Sequence, residues 1–422
     1  MISERSMETA DKLRHVQGGL DHAVEYSEAK RLQDLFIVDI DCHIYEPFAS
    51  FSEYLPENYR KQYNNIKQME EAEEYREDYK IFTRDLSGES IDPLKLKLLK
   101  MYYETKEYAP TRYFDLTMGG RIKRTEIKKF NPLAGFSREQ TVDIFVNRMH
   151  DIGIKRSMIF PNMLLNIGNH PDNNFEVAIS NAFTDYMVDN FLDKYPQLLS
   201  FILVPANSPD RAAELIDRVG SEKGIAGLMI TTHRRSLAGD ESWLPIYEAA
   251  RRKNLPICFH ASLSWIPPYD KLKSIFPFHS LAFPFNIILQ LTSLLSSGIP
   301  ERFPDLKFVF IEGGVTWIPW IMNRLDSVYM MMRSEAPILK KLPSEYIKQF
   351  YFSSQPLEHP QKRSDLEFAF KAFNAETQLM YASDYPHHDF DVPSVIYGLP
   401  FLTTEAKKNI LGETARKVFR IN

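Results

Sequence analysis

Apolar positions along the chain gather into short runs rich in β-branched and aromatic residues, each followed by a segment with helical spacing. The runs are Phe36–Asp41, Ser157–Pro161, Leu199–Pro205, Ile225–Thr231, Pro256–His260, Phe308–Glu312, Gln349–Ser353 and Leu379–Asp384. Near-continuous apolar runs mark parallel strands buried on both faces. Between them, Phe175–Lys194, Asp210–Gly220, Ser242–Lys253 and Ile287–Ser297 carry apolar residues along one helical face. The alternation predicts a parallel sheet with crossover helices. Eight strands predict an α/β fold closed into a (β/α)8 TIM barrel. An open doubly wound sheet would place a glycine-rich phosphate loop after its first strand. Here the chain continues Cys42-His43-Ile44-Tyr45-Glu46-Pro47, without glycine.

The spacing is uneven in one place, because residues 42–156 separate the first two runs. That span holds the charged run Met69–Lys80, read as a solvated helix face, and the aromatic, lysine-rich stretch Leu94–Met118. Insertions after barrel strands fall on the catalytic face. Residues 60–145 are therefore expected to form a lid or an oligomer contact. No internal repeat or low-complexity linker breaks the chain. The expected organisation is an N-terminal arm over residues 1–30 and one barrel domain over 31–422, interrupted by the insertion.

Composition narrows the function classes. A net charge of −5, a pI near 6.2 and the lack of a basic tail argue against nucleic-acid binding. The two cysteines, Cys42 and Cys258, each sit inside an apolar run, which excludes a disulfide framework and favours a reducing compartment. The charged N-terminus lacks the apolar core of a signal peptide, and no stretch approaches ~18 uninterrupted apolar residues. A cytoplasmic protein without a membrane span is expected.

The ends of the strands carry the chemistry. The first ends in Asp41-Cys42-His43, the fifth in His260, the sixth in Glu312 and the eighth in Asp384. Carboxylates are rarely buried unpaired, and barrel strand ends converge on one cup. Alternation along an extended chain puts Asp41 and His43 on one face and Cys42 on the other. Singly, each residue has a plain structural explanation: a cap at Asp41, a packed His260, a turn at Asp384, a carboxylate facing helix-start amides at Glu312. Together, imidazole and carboxylate without thiolate suit Zn, Fe or Mn, one or two divalent ions per chain. Further candidates surround this set. His279 follows strand five and is read as a further ligand or substrate contact, or else as a packed loop histidine. His387 and His388 follow strand eight, where one would orient Asp384 or touch substrate. His233, with Arg234 and Arg235, follows strand four and would hold a substrate carboxylate or form a solvated loop. Glu46 is a candidate bridging residue, and Trp317 and Trp320 are read as packing.

These pieces resemble the amidohydrolase-related family that includes the aminocarboxymuconate-semialdehyde and resorcylate decarboxylases. The matching segments are VDIDCHIYEP at 38–47, ICFHA at 257–261, GIPERFPDLKFVFIEGGVTWIPWIMNRLD at 298–326 and MYASDYPHHD at 380–389. The resemblance implies a barrel with one or two divalent metals, ligands at Asp41, His43 and His260, and Asp384 as the strand-eight carboxylate near metal and substrate. Two departures matter. Relatives usually carry His-x-His or Glu-x-His on strand one, where this chain has Asp-x-His, and a histidine on strand six, where it has Glu312. Residues 327–358 also resemble a narrower subgroup related to 2-aminoisobutyrate hydroxylase, which implies a dinuclear Mn/Fe-type site and a paired chain.

The expected function is a metal-dependent hydrolase or carboxy-lyase acting on a small organic acid or amide-like molecule, with Asp384 and His387 as catalytic groups. A dinuclear oxygenase and a catalytically silent partner barrel are the alternatives. If Glu312 is a ligand, a second ion is its simplest compensation. A dimer is expected, either of identical chains or with a paralogous barrel chain.

Overall fold

In the computed structural model, the described residues are 16–44, 51–60, 146–147, 149–161, 163–170, 172–262, 275–385, 387 and 390–422. Eight parallel strands follow one another in chain order: β1 (Ile37–Ile44), β2 (Ile154–Pro161), β3 (Leu198–Leu203), β4 (Ile225–Thr231), β5 (Ile257–His260), β6 (Phe308–Ile311), β7 (Tyr351–Ser353) and β8 (Leu379–Met380). All eight lie where the apolar runs put them. β8 is regular for only two residues, yet its continuation closes the barrel onto β1. Ile40 N donates to Tyr381 O, Asp384 N to Asp41 O and His43 N to Tyr385 O, at 3.1, 2.7 and 2.7 Å.

The helices are where the apolar stripes predict them, with one correction. Helix Pro209–Val219 buries Ala212, Leu215, Ile216 and Val219, the i, i+3, i+4, i+7 face of an amphipathic helix. Helix Asn173–Met187 is capped by Asp172, whose carboxylate accepts from Asn174 N at 2.9 Å. The helix after β5, however, runs Ile275–Ser296 and so begins well before Ile287. Pro284 inside it looks like a loop signal. The apolar surface on both sides is long enough for tertiary packing to override the single missing N–H. His279 is thus a helix residue, not a loop residue; its side chain lies outside the described set.

Register fixes which side chains enter the barrel. Phe259 pairs with Phe310, and Phe310 with Phe352, and these rings stack 5.4 and 5.7 Å apart. Phe352 also packs on Phe373 and Trp317, on the helix side of the sheet. Since Phe259 faces outward, its neighbour His260 faces the lumen. Inside, Phe160 stacks on Phe201 at 4.3 Å and forms the floor under the strand ends. The insertion 60–145 and Glu46 lie outside the described residues. Of the N-terminal arm, helix Val16–Lys30 is described, with Ala23 and Ser27 buried. No helix among the described residues is long and apolar enough to cross a membrane.

Candidate metal centre

β1 delivers Asp41 and His43 to the lumen, β5 delivers His260, and the chain beyond β8 delivers Asp384 and His387. All but His387 are buried. Ligand atoms of Asp41, His43 and His260 lie within 4.8 Å of one another, and so do those of His43, Asp384 and His387. His43 belongs to both groups, so they are two halves of one centre. Its Nε2 lies 3.4 Å from Asp41 Oδ1 and 3.2 Å from Asp384 Oδ1, and His260 Nε2 lies 3.2 Å from Asp41 Oδ1.

The opposite ring nitrogens decide the tautomers. His43 Nδ1 donates to Pro161 O at 3.2 Å, and His260 Nδ1 donates to Ala261 O at 2.7 Å. A carbonyl can only accept, so in each neutral imidazole Nε2 is the lone-pair nitrogen, and both Nε2 atoms face Asp41. His43 Nε2 and Asp41 Oδ2 are buried without a hydrogen bond. Such atoms are costly unless a cation takes them up. Burial alone would raise the Asp41 carboxyl, but the imidazoles of His260 and His43 hold it below the usual carboxylate range. Burial likewise pulls the His43 imidazole down, and the carboxylates of Asp384 and Asp41 outweigh it, lifting that group to about 10. The space between the carboxylates is built for positive charge, and the donors present fit a divalent ion.

Two residues at the centre have left-handed backbone, Glu312 at φ 65° and Asp384 at φ 58°. Non-glycine residues held there cost about 1–3 kcal/mol and cluster at functional sites. At Asp384 the turn aims Oδ1 at His43 and at His387 Nδ1, 2.6 Å away, while Oδ2 accepts from Gln355 Nε2 at 3.1 Å. The His387 ring stacks on His43 with centroids 4.3 Å apart.

A family model described as Amidohydrolase matches residues 160–421. The chain belongs to the amidohydrolase family. Its similarity to individual members is distant. Gamma-resorcylate decarboxylase of Rhizobium sp. (strain MTP-10005) is 18% identical over 265 residues, covering 60% of this chain and 79% of that protein. The crystal structure of 5-carboxyvanillate decarboxylase from Sphingomonas paucimobilis superposes with a TM-score of 0.60 at 18% identity, covering 92% of this chain and all of that one. The 5-carboxyvanillate decarboxylase of Novosphingobium aromaticivorans, with bound manganese, gives 0.59 at 16% identity, covering 92% and 98%. These likenesses agree with the barrel already described.

As an amidohydrolase-family enzyme, the chain gathers Asp41, His43, His260, Asp384 and His387 at the cup. Glu312 joins neither ligand group among the described residues. Its Oε2 lies 3.5 Å from His260 Nδ1, the edge of the ring turned away from Asp41. His388 lies outside the described residues. His233 follows β4 beside the end of β5, its backbone N donating to Ser262 Oγ at 3.3 Å and its Nδ1 lying 2.7 Å from Asn169 Nδ2. The neighbouring arginines do not form a free anion site. Arg234 is buried against Glu176 and donates to Thr231 Oγ1 at 3.1 Å, and Arg235 binds His170 O and Asn173. Trp317 packs on Phe352 and donates to Gly313 O at 2.8 Å.

The motif reading passed over Asp39, Ser383 and Gln355. Asp39 is fully buried, and burial raises its carboxyl to about 8 against three hydrogen bonds that pull the other way. Carrying the Asp-x-His alternation one step back would have found it. Gln355 had no such signal, because its place beside Asp384 depends on how β7 meets β8.

Proposed function

We propose that the chain is a metal-dependent decarboxylase of a small aromatic carboxylic acid, with Asp41, His43, His260 and Asp384 holding one divalent ion. The observation that carries this is the pair of imidazole Nε2 atoms converging on Asp41 while both Nδ1 atoms are spent on carbonyls. The relatives' activities support the reaction class, and manganese in one of them supports the ion. Bound there, the ion would supply Lewis-acid polarisation of a substrate oxygen.

The protein's own groups account for the rest. The bond between ring carbon and carboxyl breaks, its electron pair stays on the ring carbon, CO2 leaves, and that carbon takes up a proton. Asp384 is the group to hold and deliver that proton. Its carboxylate faces the centre, is fixed at Oδ2 by Gln355, and has the partly exposed His387 at 2.6 Å to exchange protons with solvent. Phe160, with its centroid 4.6 Å from that of His260, packs an apolar floor beneath the imidazoles.

The test begins with protein purified without added metal, its metal content measured, then stripped and reloaded with manganese or zinc. CO2 release is followed with 2,6-dihydroxybenzoate and 5-carboxyvanillate. Metal-dependent release from either acid supports the reading. A metal-loaded protein that releases none, yet hydrolyses an amide or lactone panel, replaces decarboxylation with hydrolysis. The assembly proposed with this function is a dimer of barrel chains. Leu281, Phe285 and Leu289 support it, because they form an exposed apolar stripe at helical spacing. Light scattering at the 49.2 kDa monomer mass overturns it.

A further inference from the structure

The seam between β8 and β1 is where barrel closure is most irregular, and both carboxylates of the centre sit on it. The ladder has to bend there, because Asp384 leaves the extended region at φ 58°. Three successive amides, of Ser383, Asp384 and Tyr385, are nevertheless all held. Ser383 N donates to Asp39 Oδ1 at 2.8 Å. Asp384 N donates to Asp41 O at 2.7 Å. Tyr385 N donates to Ser383 Oγ at 3.0 Å, and that hydroxyl donates to Asp39 Oδ2 at 2.6 Å. Asp39 Oδ1 also accepts from Asp41 N at 3.2 Å. One buried carboxylate thus ties the backbone on both sides of Asp384 to the backbone of Asp41. An apolar residue at position 39 would pack as well but would leave these donors without an acceptor in a site closed to water.

We propose that Asp39, acting through Ser383, is a positioning residue that sets the separation of Asp41 and Asp384 across the barrel seam. It touches neither ion nor substrate. It reinforces the two backbone bonds, Asp384 N to Asp41 O and His43 N to Tyr385 O, that join these two ligand segments from opposite ends of the chain. The role rests on Asp41 and Asp384 being ligands, as proposed above, and goes beyond that reading by assigning the seam pair a function of its own.

The measurement is manganese affinity of the stripped full-length protein, by calorimetric titration, alongside thermal unfolding of the same metal-free samples. Asp39→Leu and Ser383→Ala should each weaken affinity by roughly 10–100-fold, as expected for groups that orient ligands. The double variant should be no weaker than the worse single one, because both act through one link. Ser383→Thr, which keeps the hydroxyl, should recover most of the affinity. Variants that unfold at lower temperature yet bind manganese like the parent overturn the positioning role and leave the metal centre standing. A parent that binds no divalent ion removes the centre itself, and the positioning role with it. If Asp39→Leu fails to fold, the Ser383→Ala and Ser383→Thr pair decides: equal affinities overturn the proposal, and a loss with recovery upholds it.

Discussion

Two polar regions share the mouth of the barrel, and they balance charge in opposite ways. On the β1–β5–β8 side, Asp41 and Asp384 crowd around His43 and His260, with lone pairs turned inward and no arginine or lysine paired with them among the described residues. On the β2–β4 side, Arg234 meets Glu176, both side chains fully buried, one positive group against one negative. The second region balances its charge within itself, although Arg234 Nε and Glu176 Oε2 are left without a hydrogen bond, and the first needs a cation. Burial and charge alone therefore do not mark a functional site. What separates the two is the sign of what is left over once internal partners are counted.

The strongest way to break this contrast is to remove a ligand. His260→Ala should abolish tight binding of one ion and lower activity by more than the ~10–100-fold that loss of an outer partner costs. Metal content after gel filtration and initial rates at saturating manganese check it, and near-parent values for both would take His260 out of the centre. Next in size is the paired region. Glu176→Ala strands a buried guanidinium and should cost about 3–5 kcal/mol of stability in urea unfolding. Its manganese affinity, measured on the folded protein, should stay that of the parent. A parallel loss of metal would join the two regions into one site. The smallest effect is expected at Glu312. Its carboxylate lies 3.5 Å from the outer edge of His260, longer than a sound hydrogen bond, and joins neither ligand group among the described residues. Glu312→Gln should leave metal stoichiometry unchanged and affinity within about tenfold of the parent. A fall from two ions to one in that variant would instead restore the dinuclear, oxygenase-like reading that the strand-six carboxylate suggests.

The same contrast explains what could be read from the chain. Asp41 and His43 were legible as neighbours because a strand's period of two puts them on one face. His260 and Asp384 were legible because each follows an apolar run at the point where a barrel opens. Asp39 shares that face and was passed over only because a lone carboxylate inside a strand resembles a packing detail. His279 was misplaced because proline beside aromatics reads as a loop until the helix is seen to bury one face against the barrel. Arg234 is read from its place after β4 as part of a solvated loop or as a substrate anchor, and the structure buries it instead. Its real partner, Glu176, lies on the first turn of a helix after another strand, and nothing local connects the two.

The sequence by itself determined the eight strands, their order and the identity of the residues at their ends, because burial on both faces of a parallel strand writes a continuous apolar run. Only the tertiary structure decided which of those end residues share a site. Closure of β8 onto β1 brings Asp39 to Ser383 and Asp41 to Asp384, more than three hundred residues apart in the chain. The left-handed turn at Asp384 aims its carboxylate at His43, while Glu312 comes to rest at the outer edge of His260. Those outcomes depend on register and backbone rotation at single residues, and periodicity in the sequence carries no record of either.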